Sequence, residues 1–386
     1  MNSFFSFRNL AITLLSFAII GVFALVTVNI AFLNPITQAL KDFSITDVFY
    51  QVQQNSGHIV RNNAITIVDM TDLYDRGDIA EALEQIEMCN PKVVGVDMVF
   101  EGENTSAGTP TRDYREADSM LMQVARDYRN IVYSHRLLDY KDDVTGYSVD
   151  VHSFFTDSIP VTEGFTNMER QLYGGIKRVA TLQTLIQGEV KPSFLAQVVD
   201  MFTGQRIEST NENLNINFTP TEFDVLPHDS VLQHPELIED RVVLFGAMYE
   251  EGDMQYTPLG KMAGVKLLAY GAQSLLDQKE ILYLPLWLSW LVTFILVYFT
   301  FWLQENYIIR MQRIRNGFCR VVLSSDYFVG IVMFVWMVIL MGVSALVFNQ
   351  FNMSISLGWT FAAIAFLNAS EELYQALKEL KVCSVN

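Results

Sequence analysis

The sequence is short of charge, of cysteine and of basic side chains, and each shortage excludes a class of protein. Only 18% of its 386 residues are charged, where a soluble globular chain has about a quarter. Hydrophobic residues make up 51%, and the mean hydropathy is +0.22. Such a chain is not disordered, because it has ample apolar surface to bury, and it reads as a membrane protein. Three cysteines are too few for a disulfide scaffold or a four-thiolate zinc site. With 26 basic against 43 acidic residues and a net charge of −17, no positive field exists to hold a phosphate backbone, so nucleic acid is not a partner. The standard hydrolase signatures Gly-x-Ser-x-Gly and His-Glu-x-x-His are missing. The five histidines, His58, His135, His152, His228 and His234, include no pair at helical metal-ligand spacing. Gly260 to Gly264 lacks the spacing of a phosphate loop. The chain therefore reads as a non-enzyme with no metal and no cofactor.

What the sequence has instead is long runs without charge. One extends from Asn9 to Leu40, with its apolar core over 10–33. It exceeds the roughly 7–15 residues of a cleaved signal and suffices for an uncleaved anchor. A second run covers Ile281–Gln304, and a third, Tyr327–Ser370, is 44 residues long and interrupted only by Asn349-Gln350-Phe351-Asn352. The spans expected from these runs are 10–33, 285–303, 327–348 and 355–370, the last two as a tight hairpin. These spans carry no charged residue, which argues against a transport pathway. Gly342, Ser344 and Ala345, with Gly358, Ala362, Ala363 and Ala365, are small enough for close helix packing, within the bundle or with a second copy of the chain.

Orientation follows from the arginines. The segment 304–326 carries Arg310, Arg313, Arg315 and Arg320 against Glu305 and Asp326, and short basic loops stay cytoplasmic. Arg8 at the start (1–9) and Lys378 and Lys381 in the tail (371–386) agree. The expected layout in the bilayer has both termini inside and residues 34–284 outside. That outer segment holds 38 of the 43 acidic residues and 19 of the 26 basic ones, a net of −19. The acidity suits solubility and repulsion from anionic lipid better than an acidic binding site.

Within 34–284 the periodicity alternates. Pro35 can open a helical segment that continues through Ser44–Tyr50. Ala64–Met70 and Val93–Phe100 read as buried strands and Gly77–Cys89 as the helix between them, a βαβ unit with parallel strands. A helix over Asp113–Tyr128 and a strand over Asn130–Leu137 repeat the pattern. Residues 139–160 read as an irregular surface excursion. A helix over Ser193–Thr203, strands over Leu214–Phe218 and Arg241–Gly246, and a helix over Val265–Gln278 complete the reading. The fold class is α/β: one extracytoplasmic domain with a mainly parallel sheet, flanked by four membrane helices.

Asp69 and Asp97 both end expected parallel strands, with Asp72 close behind. Strand carboxyl ends form the usual ligand crevice of an open α/β sheet, where paired carboxylates could take a cation or an amine. The competing reading, more frequent for aspartate, is that each caps a turn or helix. Arg178, after Gly174-Gly175, could bind an anion or pair with a surface acid.

These residues resemble the type-2 CHASE domain, an extracytoplasmic sensor module of bacteria. Thr46-Asp47-Val48-Phe49 is similar to that family's opening motif, Ile67-Val68-Asp69-Met70-Thr71-Asp72 to its first strand and Val94–Phe100 to its second. Gly164-Phe165-Thr166-Asn167 and Gly174-Gly175-Ile176-Lys177-Arg178 are similar to its central motifs. Arg241–Gly246, Asp253, Thr257-Pro258-Leu259-Gly260 and Gly264-Val265 resemble its closing one, which makes Asp253 a further ligand candidate. The Trp-Pro-rich segment of many relatives is replaced by Leu73-Tyr74-Asp75-Arg76-Gly77. Family members commonly continue into a kinase or cyclase, whereas Glu371–Asn386 is too short for one. The resemblance thus implies a sensor or regulatory subunit of the bacterial cytoplasmic membrane that signals through a separate effector, and the basic interior segment with Arg310, Arg313, Arg315 and Arg320, together with the tail, is the expected contact for it. A structural or assembly subunit of a cell-envelope complex is the alternative.

Overall fold

The computed structural model describes residues 6–29, 45–102, 113–167, 175–206, 212–355 and 357–383. The expected helix start at Pro35 and Gly174 of the Gly-Gly turn lie outside them. The chain divides into two compact units, one of residues 50–281 and one of residues 1–49 with 282–386. Helix α1 is Phe7–Asn29, and α2, Ile45–Asn55, runs across the unit boundary.

The 50–281 unit is a mixed α/β structure around a mainly parallel sheet. In chain order its elements are β1 (Val60–Asp69), α3 (Arg76–Met88), β2 (Val93–Val96), α4 (Tyr114–Asp127), β3 (Ile131–Asp142), β4 (Gly146–Val151), β5 (Thr162–Phe165), β6 (Val179–Thr181), β7 (Gln183–Ile186), β8 (Glu189–Pro192), α5 (Phe194–Thr203), β9 (Asn213–Asn215), β10 (Thr221–Pro227), β11 (Val242–Gly246), β12 (Met254–Thr257), β13 (Gly260–Ala263) and α6 (Gly264–Leu276). The sheet order is β10-β1-β11-β2-β3-β4-β7-β8, with β5 also on β3. β10, β1, β11, β2, β3 and β5 pair in parallel. β1 and β2 are parallel but not adjacent, because β11 inserts between them.

The continuous β-branched runs of β1, β2 and β11 are explained by burial on both faces. Val68, Val94, Val96 and Phe245 pack with Ile79, Leu83 and Ile86 of α3 and Leu121 and Val124 of α4. On the opposite face, Gly95 lies against Phe194 and Val198 of α5. Asp75 caps α3 through the Gly77 amide, Asp113 caps α4 through Arg115, and Ser193 caps α5 through Ala196.

Two expectations are corrected here. Of the irregular excursion expected over 139–160, residues 139–151 form a hairpin instead, β3 running on to Asp142 and turning into the antiparallel β4, while 152–160 are turns and loop. The Asp142 carboxylate holds that turn by accepting from the amides of Val144 and Thr145. The strand expected over Val93–Phe100 ends at Val96 because its neighbour β11 ends at Gly246. The last ladder bond, Asp97 N–H to Phe245 O at 2.9 Å, marks the exit.

The second unit continues with β14 (Leu282–Tyr283), α7 (Leu286–Gln312), α8 (Gly317–Leu323), α9 (Asp326–Phe351), β15 (Met353–Ser354), α10 (Gly358–Ala365) and α11 (Leu367–Cys383). Among the described residues, two helices, α7 and α9, are long and apolar enough to cross a membrane, rather than the four expected. In α1 the shorter stretch 7–22 is apolar. The span expected over 355–370 breaks at Phe366 between α10 and α11. The polar residues there find partners: Asn368 accepts from Gln304 at 2.8 Å, and the Ser370 hydroxyl donates to Phe366 O at 2.7 Å. The expected hairpin is also revised. Asn352, in the left-handed conformation, ends α9, β15 then pairs with β14, and α10 packs mainly on α7 and α1.

Apolar packing in this unit joins Ile12, Ile20, Val297, Phe301, Leu340 and Ile364. Interhelical hydrogen bonds add to it, as between apolar helices generally. Ser16 donates to Ala363 O at 2.7 Å and Trp336 to the Thr300 hydroxyl at 2.9 Å. At one end, Arg8 of α1 forms ion pairs with Glu305 of α7 and Glu371 of α11.

Candidate ligand site at the strand ends

Parallel strands that stop together leave a crevice at their carboxyl ends. Here the crevice lies beyond β2 and β11. It is a polar cavity of about 260 Å³ lined by Asp97, Thr166, Asn167, Lys177, Asp253, Gln255 and residues of α6. Asp97 enters directly off β2. Thr166 and Asn167 follow β5 and are fixed to β3: Thr166 N–H donates to His135 O at 3.3 Å, while the Asn167 amide bonds both Leu137 N and Leu137 O. The Lys177 amide donates to Tyr256 O at 2.7 Å, docking that segment on β12.

Asp253 is held by the start of α6. The Gly264 amide donates to Asp253 Oδ2 at 3.0 Å, and a carboxylate at a helix N-terminus is favoured by the helix dipole. A Cβ at 264 would stand 2.6 Å from the same oxygen, so glycine is what admits the carboxylate.

Both aspartates have raised carboxyls, for partly different reasons. Burial first, and the Asp253 carboxylate second, push the Asp97 carboxyl up to about 7. Asp97 keeps some accessible surface where it lines the cavity. Burial also raises Asp253, against the lowering effect of the Gly264 amide. Two carboxylates beside one lysine leave the lining with an excess of acid, and a positive charge between Asp97 and Asp253 would favour their ionised forms.

Of the residues singled out in the sequence, Asp97 and Asp253 are brought together. Asp69, Asp72 and Arg178 do not line this cavity. Asp69 Oδ1 accepts from the amides of Thr71 and Met248, both at 3.0 Å, so it ties the end of β1 to the loop after β11, the capping role set against ligand binding above. Asp72 is exposed. Arg178 sits beside β6, where its carbonyl accepts from Ile216, and the cavity receives the preceding Lys177 instead. Thr166, Asn167 and Lys177 fall within the two central motifs, but nothing in their spacing revealed that they converge with Asp97.

Arg310, Arg313, Arg315 and Arg320 are all exposed. They lie less on a loop than expected: Arg310 is in the last turn of α7, Arg313 is its C-cap and Arg320 is on α8.

A family model of the CHASE2 domain matches residues 18–303, well over half of the chain. The chain belongs to the CHASE2 family. CHASE2 is an extracytoplasmic sensory domain, and the match takes in the whole 50–281 unit of this chain. No curated protein and no solved structure matches the chain significantly.

Proposed function

We propose that this CHASE2 protein is a multi-pass sensor or regulatory subunit of a bacterial cytoplasmic membrane. In this reading both termini are cytoplasmic, residues 34–284 are outside, and the Asp97–Asp253 cavity takes up a small polar solute bearing a positive charge. The observation that carries the reading is the carboxylate pair itself, Asp97 and Asp253 lining one cavity at the carboxyl ends of β2 and β11. The cavity's size, about 260 Å³, lies just under the range of drug-sized sites and suits an amine or amino-acid-sized ligand. Thr166, Asn167 and Gln255 supply hydrogen bonds that fix its orientation. Occupancy signals only if the ligand binds two conformations of the domain unequally. The output is passed to a separate effector protein at the exposed arginines of α7 and α8, Arg310, Arg313, Arg315 and Arg320, together with the tail.

The test is a thermal-shift screen of the detergent-purified chain against small amines, zwitterions and carboxylic acids. Cationic or zwitterionic solutes should stabilise it, and the shift should vanish in Asp97→Asn/Asp253→Asn while surviving in Asp72→Asn. Stabilisation by anions alone, or a cation response that the double variant retains, would overturn the assignment.

A further inference from the structure

A second cluster of chemistry-bearing side chains lies outside that cavity, on the strands β3, β4 and β5. The β3–β4 register pairs Arg136 with Val151 and Leu137 with Asp150, so one step further His135 faces His152. Their rings stack with centroids 5.0 Å apart and planes at 15°. β5 pairs Tyr133 with Glu163 and His135 with Phe165. Because side chains alternate along a strand, His135, Asp150, His152 and Glu163 all project from one face of the sheet.

Their polar atoms form a chain. His135 Nδ1 is bonded to Asp150 Oδ1. Asp150 Oδ2 lies 3.0 Å from His152 Nε2, and His152 Nδ1 lies 2.9 Å from Glu163 Oε2. The ligand atoms of His135, Asp150 and His152 are all within 4.8 Å of one another. The His135 side chain is buried, at 4% exposed, and that of Asp150 is partly buried, at 10%. His152 is 38% exposed and leaves a way in from solvent. Glu163 Oε1 is buried without a hydrogen-bond partner.

We propose that His135, Asp150 and His152 bind one divalent transition-metal ion of the zinc class, with Glu163 as the carboxylate that orients His152. Two imidazole nitrogens and one carboxylate oxygen are the donors of a three-ligand zinc site whose fourth position is open to water. Calcium and magnesium prefer all-oxygen shells, so they are poor competitors for this set. The ion takes the lone pairs of His135 Nδ1 and His152 Nε2, each ring binding as a neutral imidazole whose one N–H is on its other nitrogen. His152 Nδ1–H stays on Glu163, the arrangement that fixes the tautomer and orientation of a ligating histidine. The ion would fasten β4 to β3 and β5, and β5 leads straight to Thr166 and Asn167 of the cavity.

The experiment uses the full chain in detergent, without a histidine tag, stripped with EDTA and dialysed against ZnCl₂. One zinc per chain is expected, undisplaced by excess Mg²⁺, and Co²⁺ in its place should give the intense visible absorption of a four-coordinate site. His152→Ala, at a half-exposed position, and Asp150→Asn should each weaken binding at least tenfold and abolish the cobalt signal. Glu163→Gln should weaken it about tenfold. The triple variant His58→Ala/His228→Ala/His234→Ala should bind as the parent does. Failure of the folded parent to retain zinc would overturn the proposal. So would binding that survives both His152→Ala and Asp150→Asn, or that disappears in the triple variant.

Discussion

The α-carbon of Gly164 in β5 lies directly against the backbone of Phe194 at the start of α5. A Cβ at 164 would stand 2.3 Å from the Phe194 nitrogen and 2.4 Å from its Cα. Gly95 makes a different approach, in which the nearest atom to an added Cβ is the tip of the Phe194 ring at 2.7 Å. A ring can tilt and a capped helix start cannot. Gly95→Ala should therefore cost about 1–3 kcal/mol, as moderate overpacking does, and Gly164→Ala distinctly more. Thermal unfolding of the two variants in detergent checks this, and equal losses would refute the backbone contact.

Acidity should stabilise the 50–281 unit through Asp97. Its carboxyl titrates at about 7 when folded against 3.8 for the free side chain. Between those values the folded state holds a proton that the unfolded state has released, so stability falls as pH rises through this window and levels off above it. At about 1.4 kcal/mol per unit the ceiling is about 4 kcal/mol. Melting curves at pH 5 and pH 8 should show the parent losing more stability than Asp97→Asn, and identical losses would show that Asp97 titrates normally.

Arg76 should be the most sensitive charged residue of α3. Its side chain is 6% exposed. It donates to Asp118 at 2.7 Å and to the carbonyls of Glu101 and Gly102 at 2.8 and 2.9 Å, and it lies over the Phe154 ring. Arg76→Ala leaves these acceptors unmatched and should cost about 3 kcal/mol. Arg76→Lys should recover little, because an ammonium lacks the planar fork. Denaturant midpoints of both variants decide it, with full recovery by lysine counting against the forked geometry.

Orientation has its own test. Alkaline phosphatase fused after Gln205 should be active, and fused after Gly317 silent, if the arginines of α7 and α8 face the cytoplasm. The opposite pattern would reverse the proposed layout.

The parts of the fold that could be read from sequence were those buried on both faces. Val93-Val94-Gly95-Val96 and Val242–Phe245 announce themselves because no exposed position interrupts their apolar run. The hairpin that carries Asp150 was invisible because Tyr147-Ser148-Val149-Asp150 is half exposed and its turn rests on Asp142, residues that equally suit a loop. Losing the hairpin hid the histidine cluster, since His135 and His152 become neighbours only through that register. Asp97 was legible as a carboxylate ending a buried strand. Asp69 was legible as a turn cap, but its tie to the loop after β11 was not, because Met248 lies 179 residues further along the chain.

The ion pairs of Arg8 bear on how the molecule is made. Its acceptors, Glu305 and Glu371, follow it by 297 and 363 residues. Synthesis runs from the amino terminus, so α1 is made long before either carboxylate exists, and its guanidinium can meet Glu305 first and Glu371 only later. The Glu371 half of the contact closes only when α11 leaves the ribosome. The pair with Glu371 is therefore a late contact that ties the first helix of this unit to its last.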